Sequence, residues 1–247
     1  MSLPSLPAEL RTELLTLRYR KHRESTNLLL VEGISQIKEL TVSNWVMRYA
    51  ITSKSVRPEQ IPLNLPLYAV EAGLLGRISE LQHPPEVLVC VERPDSLFSA
   101  LQTDQPIIFT DRIANPGNLG TMFLTGEWFG ITQWLIGPGS VDPFSPKVIR
   151  AAMGSVPRIK IIISEAPSDQ LRYLKQVGMR LVATAPSSTA TLKLQSNDCI
   201  LFGSEAHGLS QEYLDLADER YAISGIGQTE SLNVAIAFAI AAYSLCA

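Results

Sequence analysis

The sequence predicts an α/β fold with a mostly parallel sheet and a smaller N-terminal α/β domain. Short apolar runs, typical of buried strands, alternate with helical patterns along the chain. A polar stretch from Glu92 to Pro106 interrupts this alternation and is the best linker candidate. We therefore predict domains at 1–100 and 101–247. The 247 residues, 46% hydrophobic and 18% charged, suffice for two cores.

The N-terminal half begins with a helical pattern over 9–17. A strand pattern at 27–34 ends at Glu32 and Gly33, and a helical pattern continues through Ile37 and Leu40. The remaining elements are strands at 46–51, 66–70 and 86–91 and a helix at 71–79. This succession is typical of a small α/β domain.

A dense basic run follows the first helical pattern and contains one aromatic residue, Tyr19. Its candidate RNA-binding residues are Arg18, Arg20, Lys21 and Arg23. Such a run is either a solvated helix end or a patch that follows a phosphate backbone. Because the formal net charge is −3, the chain is no uniformly basic nucleic-acid binder, and any RNA contact must be local.

The second half repeats a strand-then-helix order. Strands are predicted at 107–109, 134–136, 159–163 and 180–184, and helices at 121–129, 146–153 and 168–177. Between the first strand and helix, Asn115 to Asn118 has turn chemistry and brings Asn118 close to a helix N-terminus. The pattern implies a mostly parallel sheet with ligands at the carboxyl ends of its strands. Neither GxGxxG nor GxxxxGK[ST] occurs.

The stretch CILFGSEAHGLS, residues 199–210, ends a buried strand pattern with a carboxylate. Ile200 to Phe202 are apolar, and Gly203, Ser204 and Glu205 follow. A buried carboxylate must find donors or a substrate, because burying it unpaired costs several kcal/mol. Glu205 therefore either bonds the backbone of its own loop or serves a site.

The last segment, 223–247, runs from a glycine-rich loop into an alanine-rich helix. Ser231 and Asn233 stand at the transition, where Ser231 is either an N-cap or a site residue, and Asn233 either a first-turn residue or a site residue. A helix that is apolar nearly all round is buried in a core or against a second copy of the chain.

The three cysteines, Cys90, Cys199 and Cys246, are scattered and contain no CxxC pair. They support neither a disulfide framework nor a zinc site, and no metal is predicted. The N-terminus has no signal-peptide pattern, and the apolar C-terminal stretch is too short to span a bilayer. We therefore expect a cytoplasmic protein.

Three stretches together resemble motifs one to three of the SpoU/TrmH family of RNA ribose 2′-O-methyltransferases, in the SPOUT class. They are NPGNLG at 115–120 with Phe129-Gly130, LFGSEAHGLS at 201–210, and the segment from Ile223 to Val234. The resemblance continues at 137–154 and 21–40, so it covers nearly the whole chain.

The resemblance implies a parallel sheet whose C-terminal segment forms a deep trefoil knot. It implies a homodimer with the knot and the last helix at the interface, and an N-terminal domain that resembles a ribosomal-protein-like RNA-binding module. The cofactor would be S-adenosylmethionine, held by Gly203, Ile223 and Leu232. The substrate would be rRNA or tRNA, presented as an unstacked nucleotide.

By the same resemblance, the polar floor of the catalytic site would be Asn118, Glu205, Ser231 and Asn233. One departure is Leu124, which stands where the family has an arginine thought to act on the 2′-hydroxyl. Leucine neither donates a hydrogen bond nor carries charge. The chain is therefore an enzyme with another base, an enzyme of altered activity, or a catalytically silent RNA-binding or cofactor-sensing protein. The candidate replacements are Arg112, Arg150 and His207. A hydrolase is disfavoured because GxSxG is absent.

Overall fold

The computed structural model describes residues 3–56, 61, 64–79, 81–94, 97–185 and 193–246. The chain divides into two compact units, Met1–Asp95 with Phe144–Pro157, and Ser96–Pro143 with Arg158–Ala247. Each unit has its own sheet with helices beside it. The predicted α/β class with a parallel sheet is confirmed. Within the described ranges, no helix combines the length and apolar character that crossing a membrane requires.

The first unit is built on a four-stranded sheet. Its strands are β1 (Leu28–Glu32), β2 (Met47–Ser53), β3 (Leu67–Val70) and β4 (Val87–Glu92), in the order β1-β4-β2-β3. Among these four strands, β2 and β3 pair in parallel, and β4 is antiparallel to both neighbours. The helices of its N-terminal part are α1 (Ala8–Thr16), α2 (Arg20–Thr26), α3 (Ile34–Thr41) and α4 (Ala72–Ser79). Leu14, Leu30, Ile51 and Leu88 are among its buried core residues.

The segment Phe144–Pro157 packs with the first unit, although it follows β5 (Ile107–Asp111), α5 (Pro116–Trp128) and β6 (Gln133–Ile136) in sequence. It contains α6 (Pro146–Ala151). Arg150 Nη1 donates to Glu32 Oε2 at 3.2 Å, and Ser79 Oγ donates to the same oxygen at 2.9 Å. A buried carboxylate requires such partners. Packing therefore separates this segment from the predicted 101–247 domain, and the functional division near residue 100 stays a prediction.

The second unit contains a six-stranded sheet. Beyond β5 and β6 its strands are β7 (Lys160–Ile163), β8 (Arg180–Thr184), β9 (Asp198–Gly203) and β10 (Glu219–Tyr221). The order is β10-β8-β9-β5-β6-β7, and every pair is parallel. Besides α5, its helices are α7 (Pro167–Gln176), α8 (Gln211–Leu216) and α9 (Val234–Cys246). All six strands therefore bring their carboxyl ends to one edge, where open parallel sheets bind ligands.

Helix α9 is held by an aromatic cluster on its inner side. The Phe238 ring lies 5.2 Å from the Trp134 ring and 5.4 Å from the Phe202 ring, centroid to centroid. Its outer side remains exposed in the single chain, with Ile236 52% and Tyr243 63% accessible. The apolar side chains of α9 thus pack into a core on one side of the helix and are exposed on the other.

Helix α5 begins earlier than the sequence predicted. We expected a turn at 115–118 and a helix from Thr121, but Pro116 opens the helix and Asn115 is its N-cap. Asn115 Oδ1 accepts from the backbone N–H of Gly117 at 2.8 Å and of Asn118 at 3.3 Å. Proline is tolerated at this position because no N–H is needed there. The same residues suit a turn and a helix start, so local chemistry did not decide between them.

Helix α9 begins at Val234, and Asn233 is the residue that caps it. Asn233 Oδ1 accepts from the N–H of Ala235 at 3.0 Å and of Ile236 at 3.3 Å. The interpretation of Ser231 as the N-cap and of Asn233 as a first-turn residue is therefore wrong. Three short elements, α2, α8 and β10, were also not predicted, because segments of three to seven residues carry little periodic signal.

Candidate functional site

A tight turn after β9 presents Glu205 at the carboxyl edge of the sheet. Ser204 and Gly208 exchange two backbone hydrogen bonds, of 2.8 and 3.1 Å. The backbone of Gly208 approaches Gly203 so closely that a Cβ on Gly203 would lie 2.0 Å from the Gly208 carbonyl carbon. Gly208 itself has φ +62°, a conformation that favours glycine. The two glycines therefore allow the strand to fold back sharply and expose the residues between them.

Glu205 joins Asn118 and Asn233 in one polar cluster. Asn118 Nδ2 donates to Glu205 Oε1 at 3.0 Å, and Val234 N donates to the same oxygen at 3.3 Å. Asn233 Nδ2 donates to Glu205 Oε1 and to Asn118 Oδ1, the latter at 3.1 Å. The cluster thus brings together the start of α5, the turn after β9 and the start of α9. We predicted that Glu205 needs partners because it is buried. Glu205 is exposed, so that reason is wrong.

The hydrogen-bonding capacity of the three side chains separates their possible roles. Asn233 uses both Nδ2 hydrogens within the cluster and its Oδ1 for the helix cap. Asn118 uses one of its two amide hydrogens. Within the described part of the chain, every hydrogen bond to Glu205 goes to Oε1. Since a carboxylate has two accepting oxygens, Oε2 and one Asn118 hydrogen are available to a ligand.

A cavity of about 620 Å³ opens beside this cluster. Five predicted site residues line it: Gly203, Glu205, Ile223, Ser231 and Leu232. Its volume lies within the usual range for cofactor and ligand sites. Ser231 has no hydrogen bond to the polar cluster among the contacts that the structure describes. These five residues therefore line one cavity. Their roles in binding and catalysis stay predictions.

Arg112 is the cation fixed next to the turn that carries Glu205. It has φ +56°, unusual for an arginine. Its Nε donates to Asp111 Oδ1 at 3.2 Å, and its Nη2 donates to Asp111 Oδ2 at 3.1 Å and to the Gly208 carbonyl at 3.4 Å. Asp111 Oδ2 also accepts from Ser210 N at 2.8 Å. Asp111 and Arg112 therefore hold the base of this turn.

The other two replacement candidates have different surroundings. Arg150 lies in the first unit, where it pairs with Glu32. His207 lies in the exposed turn, where its backbone N donates to Ser204 Oγ at 3.1 Å. Leu124, at the position of the family arginine, is half-buried on α5. Neither Arg150 nor His207 donates to the polar cluster within the described contacts.

The predicted RNA-binding run divides into exposed and buried members. Arg18, Arg20 and Lys21 are exposed, and Arg20 pairs with Glu24 at 2.7 Å. Arg23 is only 4% accessible, and its Nη1 donates to the carbonyls of Leu17 and Arg18 at 2.6 and 2.8 Å. The prediction of Arg23 as an RNA contact is therefore corrected, because its guanidinium faces the interior.

The buried cysteines lack the character of nucleophiles. Burial raises the pKa of the Cys90 thiol to about 12. The pKa of the Cys199 thiol is raised well above its ordinary value, mainly by burial and further by the negative charge of the nearby Asp198. Only a thiolate is a good nucleophile. Across the described ranges, no group of three or more His, Cys, Asp or Glu side chains is arranged to hold a metal ion.

Two protein-family models match this chain, one in its N-terminal part and one in its C-terminal part. The model of the SpoU rRNA Methylase family matches residues 105–243. The model of the MRM3-like substrate binding domain matches residues 12–89. Among curated relatives, the 23S rRNA (guanosine(2553)-2′-O)-methyltransferase RlmP of Bacillus subtilis is 28% identical over 233 residues, which are 93% of this chain and 92% of RlmP.

Two solved structures resemble the chain over nearly its full length. The crystal structure of an RNA 2′-O ribose methyltransferase has a TM-score of 0.81 and 28% identity, over 99% of this chain and 97% of the other. The AdoMet-bound rRNA methyltransferase of Sinorhizobium meliloti has a TM-score of 0.82 and 26% identity, over 98% and 95% of the two chains.

Proposed function

The chain belongs to the SpoU rRNA methylase family, and from that premise we propose that it transfers a methyl group from S-adenosylmethionine to a ribose 2′-hydroxyl of ribosomal or transfer RNA. The observation that carries this proposal is the cluster of Asn118, Glu205 and Asn233, whose Glu205 lines a cofactor-sized cavity. Two similar proteins support it: RlmP is named as a 23S rRNA 2′-O-methyltransferase, and the Sinorhizobium meliloti protein, named as an rRNA methyltransferase, was solved with AdoMet.

The cavity fits S-adenosylmethionine in size and lining. Gly203 brings bare backbone to its wall, and Ile223 and Leu232 supply apolar surface beside exposed backbone. When bound, this cofactor supplies an activated methyl group, so the protein needs chiefly to align the acceptor and to ease loss of its proton. No metal is required for that chemistry.

The polar cluster is suited to hold the ribose hydroxyl. We assign Glu205 Oε2 as the acceptor of the hydroxyl proton, because three N–H donors fix Oε1 and with it the carboxylate. The remaining Asn118 amide hydrogen donates to a ribose oxygen. Asn233 is a positioning residue, since its amide is fully engaged. Ser231, on the cavity wall, contacts cofactor or substrate.

The alternative function is a catalytically silent homologue, suggested by Leu124. The enzyme is favoured because the polar cluster is formed by groups other than residue 124. In this assignment the Glu205 carboxylate, and not an arginine at position 124, acts on the 2′-hydroxyl by taking up its proton, and the Arg112 guanidinium holds the turn by its hydrogen bonds to Asp111 and to the Gly208 carbonyl.

The two parts of the chain have separate tasks in this proposal. Residues 1–100 bind the RNA, in keeping with the substrate-binding family model that matches 12–89. Residues 101–247 hold the cofactor and form the C-terminal trefoil knot. Support for the knot comes from the loop before α9, which lines the same cavity as the end of β9. A cytoplasmic location follows from the RNA substrates.

Methyl transfer can be tested directly. Purified protein, tritiated S-adenosylmethionine and total ribosomal or transfer RNA should give labelled 2′-O-methylnucleosides after nuclease digestion. Label in a base, or no transfer to either RNA while the cofactor binds, would contradict the proposed reaction. The second result would favour the silent homologue, and turnover gained by Leu124→Arg would support it further.

We also propose a homodimer that covers the exposed side of α9. Ile236, Ile240 and Tyr243 are exposed there, and α5, which packs on α9, exposes Trp128 at 80%. Exposed apolar side chains grouped on two packed helices are typical of subunit interfaces. Ile236→Glu should shift the protein from dimer to monomer in sedimentation equilibrium, because it places a charge in that face. Val42→Glu, at a residue 78% exposed in the first unit, should leave the dimer intact. A monomeric wild type would refute this proposal.

A further inference from the structure

We infer that Tyr19, together with Arg18 and His22, forms a stacking surface for an unpaired RNA base, and that Arg23 holds this surface in shape. The inference rests on the proposed function, because it takes RNA as the substrate. It adds a contact residue, Tyr19, and a mode of contact, stacking of an unpaired base on its ring.

The turn between α1 and α2 is fixed from inside. The buried Arg23 guanidinium donates to the carbonyls of Leu17 and Arg18, the two residues that precede Tyr19. The N–H of Tyr19 donates to the Thr16 carbonyl at 2.9 Å, and the Tyr19 carbonyl accepts from His22 and Arg23 at 3.1 and 3.2 Å. A charged group bonded to backbone carbonyls is well suited to rigidify a turn. The turn is therefore preorganised, which lowers the entropy cost of binding.

The fixed turn presents neighbouring planar groups to solvent. Tyr19 is 51% exposed, and Arg18 Cζ lies 4.6 Å from the centroid of its ring. Arg18 Nη2 also donates to the Tyr19 hydroxyl. The His22 ring lies 6.2 Å from the Tyr19 ring, at an interplanar angle of 54°. Unpaired bases stack on aromatic rings and on guanidinium planes, and this turn displays both.

The local charge favours a phosphate backbone beside the stacked base. Arg18, Arg20 and Lys21 are exposed on this short stretch, whereas the whole chain has a net charge of −3. Arg20 shares its charge with Glu24, so Arg18 and Lys21 provide the main positive potential. Cations next to an exposed aromatic residue are the combination by which proteins hold single-stranded nucleic acid.

Binding to a fluorescent 12-nucleotide oligouridylate, measured by anisotropy without cofactor, tests the inference. Tyr19→Leu should weaken binding about 10-fold, which corresponds to about 1.4 kcal/mol and lies within the range for one stacked base. Tyr19→Phe should bind within about twofold of wild type, because the ring is kept. Tyr173→Leu is the matched control, since Tyr173 is 52% exposed in the second unit, and it should leave the affinity unchanged.

A 12-base-pair RNA duplex distinguishes stacking from charge alone. Its bases are paired, so Tyr19→Leu should leave duplex binding unchanged. Equal affinity of Tyr19→Leu and wild type for oligouridylate would overturn the inference, as would an equal loss with the duplex. Because the measurement uses neither cofactor nor turnover, it stands apart from the methyl-transfer assay. Wild type that binds oligouridylate but transfers no methyl group would contradict only the proposed reaction.

Discussion

Glu205→Ala is expected to lower the rate of methyl transfer at saturating substrate at least about 100-fold. The carboxylate is the common acceptor of Asn118, Asn233 and the Val234 N–H, so its removal releases the groups that line up the ribose. Misplacement of reacting groups by about 1 Å costs about 100-fold, and loss of a proton acceptor has an effect of similar or larger size. Single-turnover kinetics measure the change, with the RNA that accepts the methyl group in the transfer assay as substrate.

Glu205→Gln separates the two tasks assigned to this residue. Glutamine restores one accepting oxygen for the cluster but places an amide where Oε2 stands. If Oε2 accepts the hydroxyl proton, Glu205→Gln should remain within about 10-fold of Glu205→Ala. A glutamine variant with the wild-type rate would refute the acceptor role and leave positioning. Glu212→Ala, at an exposed carboxylate on α8, is the control and should keep the wild-type rate.

The parallel sheet of the second unit was predictable because its strands are continuous apolar runs. Ile107 to Phe109 and Ile200 to Phe202 are buried at the centre of the sheet, as their sequence indicated. The edge strand β10 has only one buried residue, Tyr221, so it lacks that signal. The packing of Phe144–Pro157 with the first unit includes the contact of Arg150 with Glu32, two residues that lie far apart in sequence and carry no local pattern.

The candidate site was predictable in membership but not in geometry. Asn118, Glu205 and Asn233 were identified because the motifs resemble a known family, and the structure joins them by hydrogen bonds. The dual use of Asn233, as helix cap and as donor to the cluster, follows only from the start of α9 at Val234. The internal role of Arg23 also escaped prediction, because a basic run gives no sign of which member turns inward.

Gly203→Ala is expected to lower the free energy of unfolding by about 3 kcal/mol, the upper end of the cost of overpacking. The added Cβ would lie 2.0 Å from the Gly208 carbonyl carbon and 2.1 Å from the Leu209 nitrogen. Both are backbone atoms, so relief requires a shift of the turn that carries Glu205. Because residues of that turn also line the cavity, methyl transfer should fall at least about 100-fold. Urea denaturation and the transfer assay measure the two effects.

Gly225→Ala is the matched control for this substitution. Gly225 lines the same cavity, yet no atom lies within 4 Å of a Cβ built there. An alanine at that position should therefore leave the free energy of unfolding within about 0.5 kcal/mol of wild type. If Gly203→Ala were equally harmless, the backbone crossing of Gly203 and Gly208 would not constrain the turn, and the close approach would lose its role in holding Glu205. A large effect at Gly203 alone would tie stability and catalysis to that single crossing.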